Sequence, residues 1–206
     1  MSCGRESDWL CSDCLNKHKN IISDKCFICA KIGNNGLCQK CRKDTGLDGL
    51  VSIFPYREDF SADLIYSSKY YGYHDAIKFI IDAYKTQIVR AFPGSFETIG
   101  FTPQTKSKTK ERGFNPAELI ANEFSDFFTT KNLFIKTKDI PSQTKLTRSK
   151  RKKNVQGAYA AIAKKLPENL IITDDVITTG ATIGELAKVA KKHGTKRVWA
   201  LTICHG

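Results

Sequence analysis

The chain has 206 residues, 41% of them hydrophobic, enough for one core of ordinary size plus a small appendage. No run approaches the roughly 18 apolar residues of a membrane-spanning helix, and the N-terminus lacks a basic-then-apolar leader pattern, so a cytoplasmic protein without a membrane span is expected. Of the 33 Lys/Arg and 21 Asp/Glu, 8 and 6 fall within residues 1–48; the 25 and 15 that remain give the rest of the chain a +10 excess, which suits anionic partners such as phosphates or nucleic acid.

Seven of the eight cysteines precede residue 42. Cys26-x-x-Cys29 and Cys38-x-x-Cys41 make a complete four-cysteine set, in which two knuckles can close a tetrahedral zinc site. Metal is favoured over disulfides in a reducing compartment. Cys11-x-x-Cys14 is a third pair; Cys3 alone, or Cys3 with His18, is available to complete a second site. Four-cysteine sites leave no open coordination position, so the zinc is expected to be structural. The composition changes near Thr45–Asp48. We therefore expect a Cys-rich zinc-binding module over residues 1–46 and a larger domain over residues 47–206.

After the break, Leu50–Tyr56 reads as a strand. Asp75–Phe92 reads as a helix with Ile77, Ile80, Ile81, Tyr84 and Ile88 on one face. Thr98–Phe101 is a short strand. Asn115 is a helix N-cap residue with Pro116 at the first helical position and Glu118 three residues on; Ile120, Phe124 and Phe127 or Phe128 form the apolar face. Leu170–Thr173 reads as a buried strand, Thr182–His193 as a helix ended by Gly194, and Val198–Cys204 as a further strand, with Cys204 a packed core residue. Strands alternating with helices predict an α/β fold with a mostly parallel sheet and right-handed crossovers.

The most informative string is LIITDDVITTGAT, Leu170–Thr182. An apolar strand runs into Asp174 and Asp175, then into a Thr/Gly-rich turn and a helix. Helix N-termini present unpaired N–H donors and a positive dipole end, and Gly180 lets the backbone approach an anion closely. The two carboxylates suit vicinal hydroxyls or water-bridged Mg²⁺. Together they predict a sugar-phosphate site. Neither a Gly-x-x-x-x-Gly-Lys-Ser/Thr string nor a Gly-x-Gly-x-x-Gly fingerprint is present.

Two segments are strongly basic. Residues 104–112, QTKSKTKER, hold four cations and no apolar periodicity, so a mobile loop able to close over a phosphate is expected. Residues 144–153 hold six Lys/Arg and no acid, more than a small anion needs. That number predicts a nucleic-acid contact, with Tyr70, Tyr71, Tyr73 and Tyr159 as potential stacking faces, although each tyrosine is more simply explained by packing.

The Asp-Asp-x-x-Thr-Thr-Gly-x-Thr string resembles the phosphoribosyl pyrophosphate loop of type I phosphoribosyltransferases. KERGFNPAELIANEF at 110–124, SQTKLTRSKRKKNVQGAY at 142–159, SSKYYGYHD at 67–75 and the cysteine pairs resemble the corresponding segments of the ComF family. This resemblance implies that Asp174 and Asp175 hold the ribose hydroxyls, and that Val176, Thr178, Thr179, Gly180, Ala181 and Thr182 line the 5′-phosphate cradle. Lys69, Tyr70 and Gly72 would lie near the pyrophosphate, and Lys110 and Arg112 on a mobile flap over residues 104–113. From the charge count, Lys150, Arg151, Lys152 and Lys153, with the adjoining Asn154, are the expected nucleic-acid contacts, and Arg151 and Asn154 also match family positions. The family usually has four cysteine pairs; here Cys11 and Cys14 make the third, and Cys3 stands where a fourth pair would be.

The resemblance further implies a phosphoribosyltransferase using Mg²⁺ with phosphoribosyl pyrophosphate, acting on or beside single-stranded DNA in natural competence. A competence helicase or another DNA-processing protein would be a partner. The alternative is a non-catalytic, nucleotide-sensing protein that binds DNA or protein. The last expected strand lies close to Gly206, so the cysteine module is the expected place for any hood over an acceptor base.

Overall fold

The computed structural model describes residues 13, 15, 23–56, 74–138 and 153–206. In chain order its elements are α1 (Gln39–Thr45), β1 (Gly49–Pro55), α2 (His74–Ala91), β2 (Thr98–Phe101), α3 (Lys106–Arg112), α4 (Pro116–Asn122), β3 (Thr129–Lys131), β4 (Phe134–Lys136), β5 (Tyr159–Ala161), β6 (Asn169–Ile177), α5 (Ala181–Lys192) and β7 (Arg197–His205).

Five strands form one sheet in the order β1-β7-β6-β2-β3, and every pairing in it is parallel. The central strands are continuous apolar runs because both faces are covered. On one face Ile171, Trp199 and Leu201 pack against α2 and α4. On the other, Leu170, Ile172, Val198 and Ala200 pack against α5, the β4–β5 pair and the cysteine segment. The expected α/β architecture with a parallel sheet flanked by helices is the one observed.

The periodic face of α2 is buried as its spacing requires: Ile77, Ile80, Ile81 and Ile88 have no exposed surface. Asn115 caps α4 by accepting from Ala117 N–H, with Pro116 in the first turn. Phe128 joins the core, whereas Phe127 is about half exposed. Cys204 is fully buried, as expected of a packing residue.

Three expectations are corrected. The stretch expected as a loop over residues 104–112 is largely helical: Lys106–Arg112 is a helix, capped by the Thr105 hydroxyl and ended by Gly113 with a positive φ of 80°. The strand expected to stop at Thr173 continues through both aspartates to Ile177, because its ladder with β7 runs on to the Ile177–His205 pair. A second, antiparallel sheet of β4 and β5 adds to the expected elements; its strands have only three residues each, too few to show a period.

The topology creates a crevice. β2 leads through α4 to β3 on one side, whereas β6 leads through α5 to β7 on the other. Between the carboxyl ends of β2 and β6 the winding therefore reverses, and open α/β sheets bind ligands at such switch points.

Candidate functional site

The crevice is built by a short hydrogen-bond relay. The Thr173 hydroxyl lies 2.7 Å from the Ala117 carbonyl and 3.2 Å from that of Gly100. The Thr102 hydroxyl donates to the Thr173 carbonyl (3.1 Å), and Asn115 Nδ2 donates to the Thr102 carbonyl (2.9 Å). These buried bonds fix the start of α4 and the end of β2 against β6 immediately before Asp174. β2 pairs with β6 only as far as Phe101–Thr173, so Asp174 to Ile177 keep a ladder to β7 alone.

Asp174 and Asp175 are half-buried. Asp174 Oδ1 accepts from Asp175 N–H at 3.0 Å, and Asp175 Oδ1 from Val176 N–H at 2.7 Å. Each carboxylate is thereby oriented by the next peptide. The chain then turns through Thr178 and Thr179 into Gly180, which takes a φ of +69° and caps α5 without a side-chain bond. Glycine meets that left-handed conformation at little cost. Thr179 Oγ1 accepts from Ala181 N–H at 3.3 Å. The other N–H groups of the first turn have no acceptor within the helix. A small cavity of about 40 Å³ follows this loop and is lined by Asp174, Val176 and residues 177–183.

Tyr159 on β5 is buried, and the Thr182 side chain is among the groups that act on its phenol. Burial pushes its phenol pKa up, and the Asp174 and Glu185 carboxylates add to the rise. Tyr159 is therefore a support behind the loop and not a stacking face. Nothing in the sequence pairs residue 159 with residue 182.

Lys110 and Arg112 lie on α3, which follows β2 at the same crevice; Lys110 is exposed and Arg112 half-buried. His74 Nε2 and Gln104 Oε1 are buried without hydrogen-bond partners among the described residues. The His74 ring meets Phe114, two residues beyond Arg112, at 4.0 Å between centroids. His74 lies within the 67–75 segment and Gln104 begins the basic 104–112 segment, but neither residue takes a role of its own from the sequence. Lys153 and Asn154 are exposed. Lys153 also borders a cavity of about 240 Å³, shared with Asp44, Gln156, Gly180, Gly184 and Lys188. Lys69, Tyr70, Gly72, Lys150, Arg151, Lys152, Cys3, Cys11 and Cys14 lie outside the described residues, as does His18.

The second centre is metal-like. One sulfur from each of Cys26, Cys29, Cys38 and Cys41 lies within 4.8 Å of the others. Cys29 Sγ is 3.6 Å from Cys38 Sγ and 3.6 Å from Cys41 Sγ. Tetrahedral zinc with Zn–S of about 2.3 Å separates its sulfurs by about 3.8 Å, so the set fits. Cys38 caps α1, accepting from Cys41 N–H at 3.4 Å, and that bond leads the causes that hold its thiol down at about 7. Burial pushes the Cys41 thiol up. Four clustered, largely buried thiols of opposed tendency are the arrangement a cation resolves.

The cysteine segment is joined to the sheet. Leu50 N–H of edge strand β1 donates to the Asn35 carbonyl at 2.9 Å, covering an otherwise open edge. Phe27 packs on His205 with centroids 4.3 Å apart, and His205 Nδ1 lies 3.0 Å from Ser52 Oγ. Burial lowers the His205 pKa to about 4 from 6.5. The fold thus favours the neutral ring. The stability it contributes is complete above about pH 6.5 and declines as pH falls towards 4. We expect urea midpoints of the wild type to fall over that window more steeply than those of His205→Gln; equal slopes would contradict this.

No family model matches the chain. It is 24% identical to competence protein F of Haemophilus influenzae over 88% of the chain and 98% of that protein. It is 25% identical to competence protein ComFC of Streptococcus pneumoniae, over 92% of the chain and 84% of the relative. DNA utilization protein YhgH of Escherichia coli is 30% identical, over 44% of the chain and 42% of its own length. None of the helices among the described residues is long and apolar enough to cross a membrane.

Proposed function

The chain belongs to the ComF family, and on that footing we propose that it binds Mg²⁺–phosphoribosyl pyrophosphate at the end of β6 and serves the uptake and handling of single-stranded DNA in natural competence, in the cytoplasm. One observation carries the ligand assignment. Two oriented carboxylates and a Thr/Gly turn into a twelve-residue helix meet at the switch point of a parallel sheet. The DNA assignment is supported by the names of the relatives and by the basic excess beyond residue 48.

In this reading Asp174 and Asp175 accept from the two ribose hydroxyls. The backbone from Val176 to Thr182 and the threonine hydroxyls hold the 5′-phosphate. Lys110 and Arg112 on α3, with Lys69, Tyr70 and Gly72, face the pyrophosphate. Mg²⁺ bound to the ligand's pyrophosphate would offset part of its negative charge. As the bond from C1 to pyrophosphate breaks, the carboxylates stabilise the positive sugar and the cations stabilise the leaving group. An acceptor nitrogen then takes C1. The four-cysteine centre holds structural zinc, for which thiolate donors are well suited.

Turnover is tested by measuring pyrophosphate release with nucleobases and with single-stranded DNA as acceptors. Release that depends on one acceptor supports a transferase; ligand binding without release from any acceptor supports a sensor.

DNA binding has its own test. Replacing Lys150, Arg151, Lys152 and Lys153 together by Gln is expected to weaken single-stranded DNA binding. It should also lower the salt slope by about 0.7 for each phosphate that is no longer neutralised. Fluorescence anisotropy across a salt series reads both quantities, and an unchanged slope would contradict the assignment.

A further inference from the structure

The first cysteine knuckle and the end of α1, the helix that starts in the second, each bring one side chain to the loop. Ile28 stands between the ligands Cys26 and Cys29. A Cβ added at Gly180 would lie 2.8 Å from Ile28 Cδ1 and 3.0 Å from Thr45 Cγ2. The loop glycine therefore faces both residues with no room for a side chain between them.

Thr45 is tied to the other knuckle: its hydroxyl donates to the Cys41 carbonyl at 2.7 Å and accepts from Leu47 N–H at 3.3 Å. One turn into α5, a Cβ at Gly184 would lie 3.1 Å from Thr45 Cα and 3.3 Å from Thr45 O. Two glycines four residues apart thus let the end of α1 seat against the first turn of α5. Ile28, Cys26, Cys38 and Cys41 share one buried cluster with Ile177, Ala181 and Ile183.

We propose that Ile28 and Thr45 are positioning residues for the phosphate loop, and that through them the four-cysteine metal and the loop's anionic ligand bind cooperatively. The metal fixes the two knuckles, the knuckles fix Ile28 and Thr45, and these hold residues 178–184 in the conformation that presents N–H groups. Packed contacts of this kind have discrete arrangements and do not deform continuously. Coupling between sites is reciprocal, so each partner raises the affinity of the other by one common factor. The ligand half rests on the function proposed above; the loop half does not.

The test uses the full zinc-loaded chain with Ile28→Ala and Ile28→Val. Zinc per chain, amide hydrogen exchange over residues 178–184, and affinity for Mg²⁺–phosphoribosyl pyrophosphate are measured on each. Ile28→Ala is expected to keep its zinc content, to exchange the loop amides at least tenfold faster and to bind the ligand at least tenfold more weakly. Ile28→Val is expected to recover most of both. The ligand should tighten zinc in equilibrium competition with a chelator by the factor that zinc tightens the ligand.

Loop amides protected as in the wild type in an Ile28→Ala protein would overturn the proposal. So would ligand affinity that is indifferent to zinc. If the wild type binds no phosphoribosyl pyrophosphate, the function reading and the ligand half fail together, while the exchange measurement still decides whether Ile28 positions the loop.

Discussion

Replacing Asp174 or Asp175 by Asn is expected to weaken Mg²⁺–phosphoribosyl pyrophosphate binding by roughly 10- to 100-fold each. Replacing both by Ala is expected to abolish it. A hydrogen bond to a charged group contributes about 1.5–3 kcal/mol, and each carboxylate is assigned to the ribose diol. The Asn side chain keeps an oxygen for the local peptide bond, which Asp174 makes to Asp175 N–H and Asp175 to Val176 N–H. The fold should therefore survive, and calorimetric titration of a cooperatively melting variant isolates the binding term. Wild-type affinity in both Asn variants would remove the carboxylates from the site.

Cys41→Ser is expected to lower the zinc content by one per chain and to lower the melting temperature by more than about 10 °C. Structural zinc contributes roughly 10–16 kcal/mol in small zinc-dependent peptides, comparable with the 5–15 kcal/mol stability of a whole domain. Here the effect reaches beyond the knuckles, because Cys41 is buried in the cluster that contains Leu170, Ile172 and the inner face of α5. Atomic emission gives the metal content and circular dichroism the melting curve. A variant that keeps all its zinc and melts with the wild type would show the cluster to be ordinary thiol packing.

The fold is most legible in the sequence where local pattern and burial agree. The face of α2 follows from its 3.6-residue apolar spacing, and the start of α4 from Asn115 and Pro116, because those signals are the interactions that form the elements. It is least legible where neither applies. α3 buries no apolar face; its caps, Thr105 and Gly113, and its Lys, Glu and Arg residues hold it without apolar periodicity. Asp174 and Asp175 are poor strand formers, yet pairing with β7 carries the strand through them. That is a non-local effect.

The string proposed as a phosphate loop is visible from residue types alone, since each residue's proposed role uses its own backbone or side chain. The supports behind it are not. Tyr159 beneath Thr182, and Ile28 and Thr45 against Gly180, join segments that only the folded chain brings together. His74 and Gln104 fall inside segments noticed for their neighbours, and their unpartnered buried atoms become visible only in the folded chain.

The most direct measurement is a crystal structure of the full chain soaked with phosphoribosyl pyrophosphate and Mg²⁺. The predicted density has the 5′-phosphate on the N–H groups of residues 178–182 and the ribose hydroxyls on Asp174 and Asp175. Ligand density at any other place, or none at a saturating concentration, would contradict the assignment.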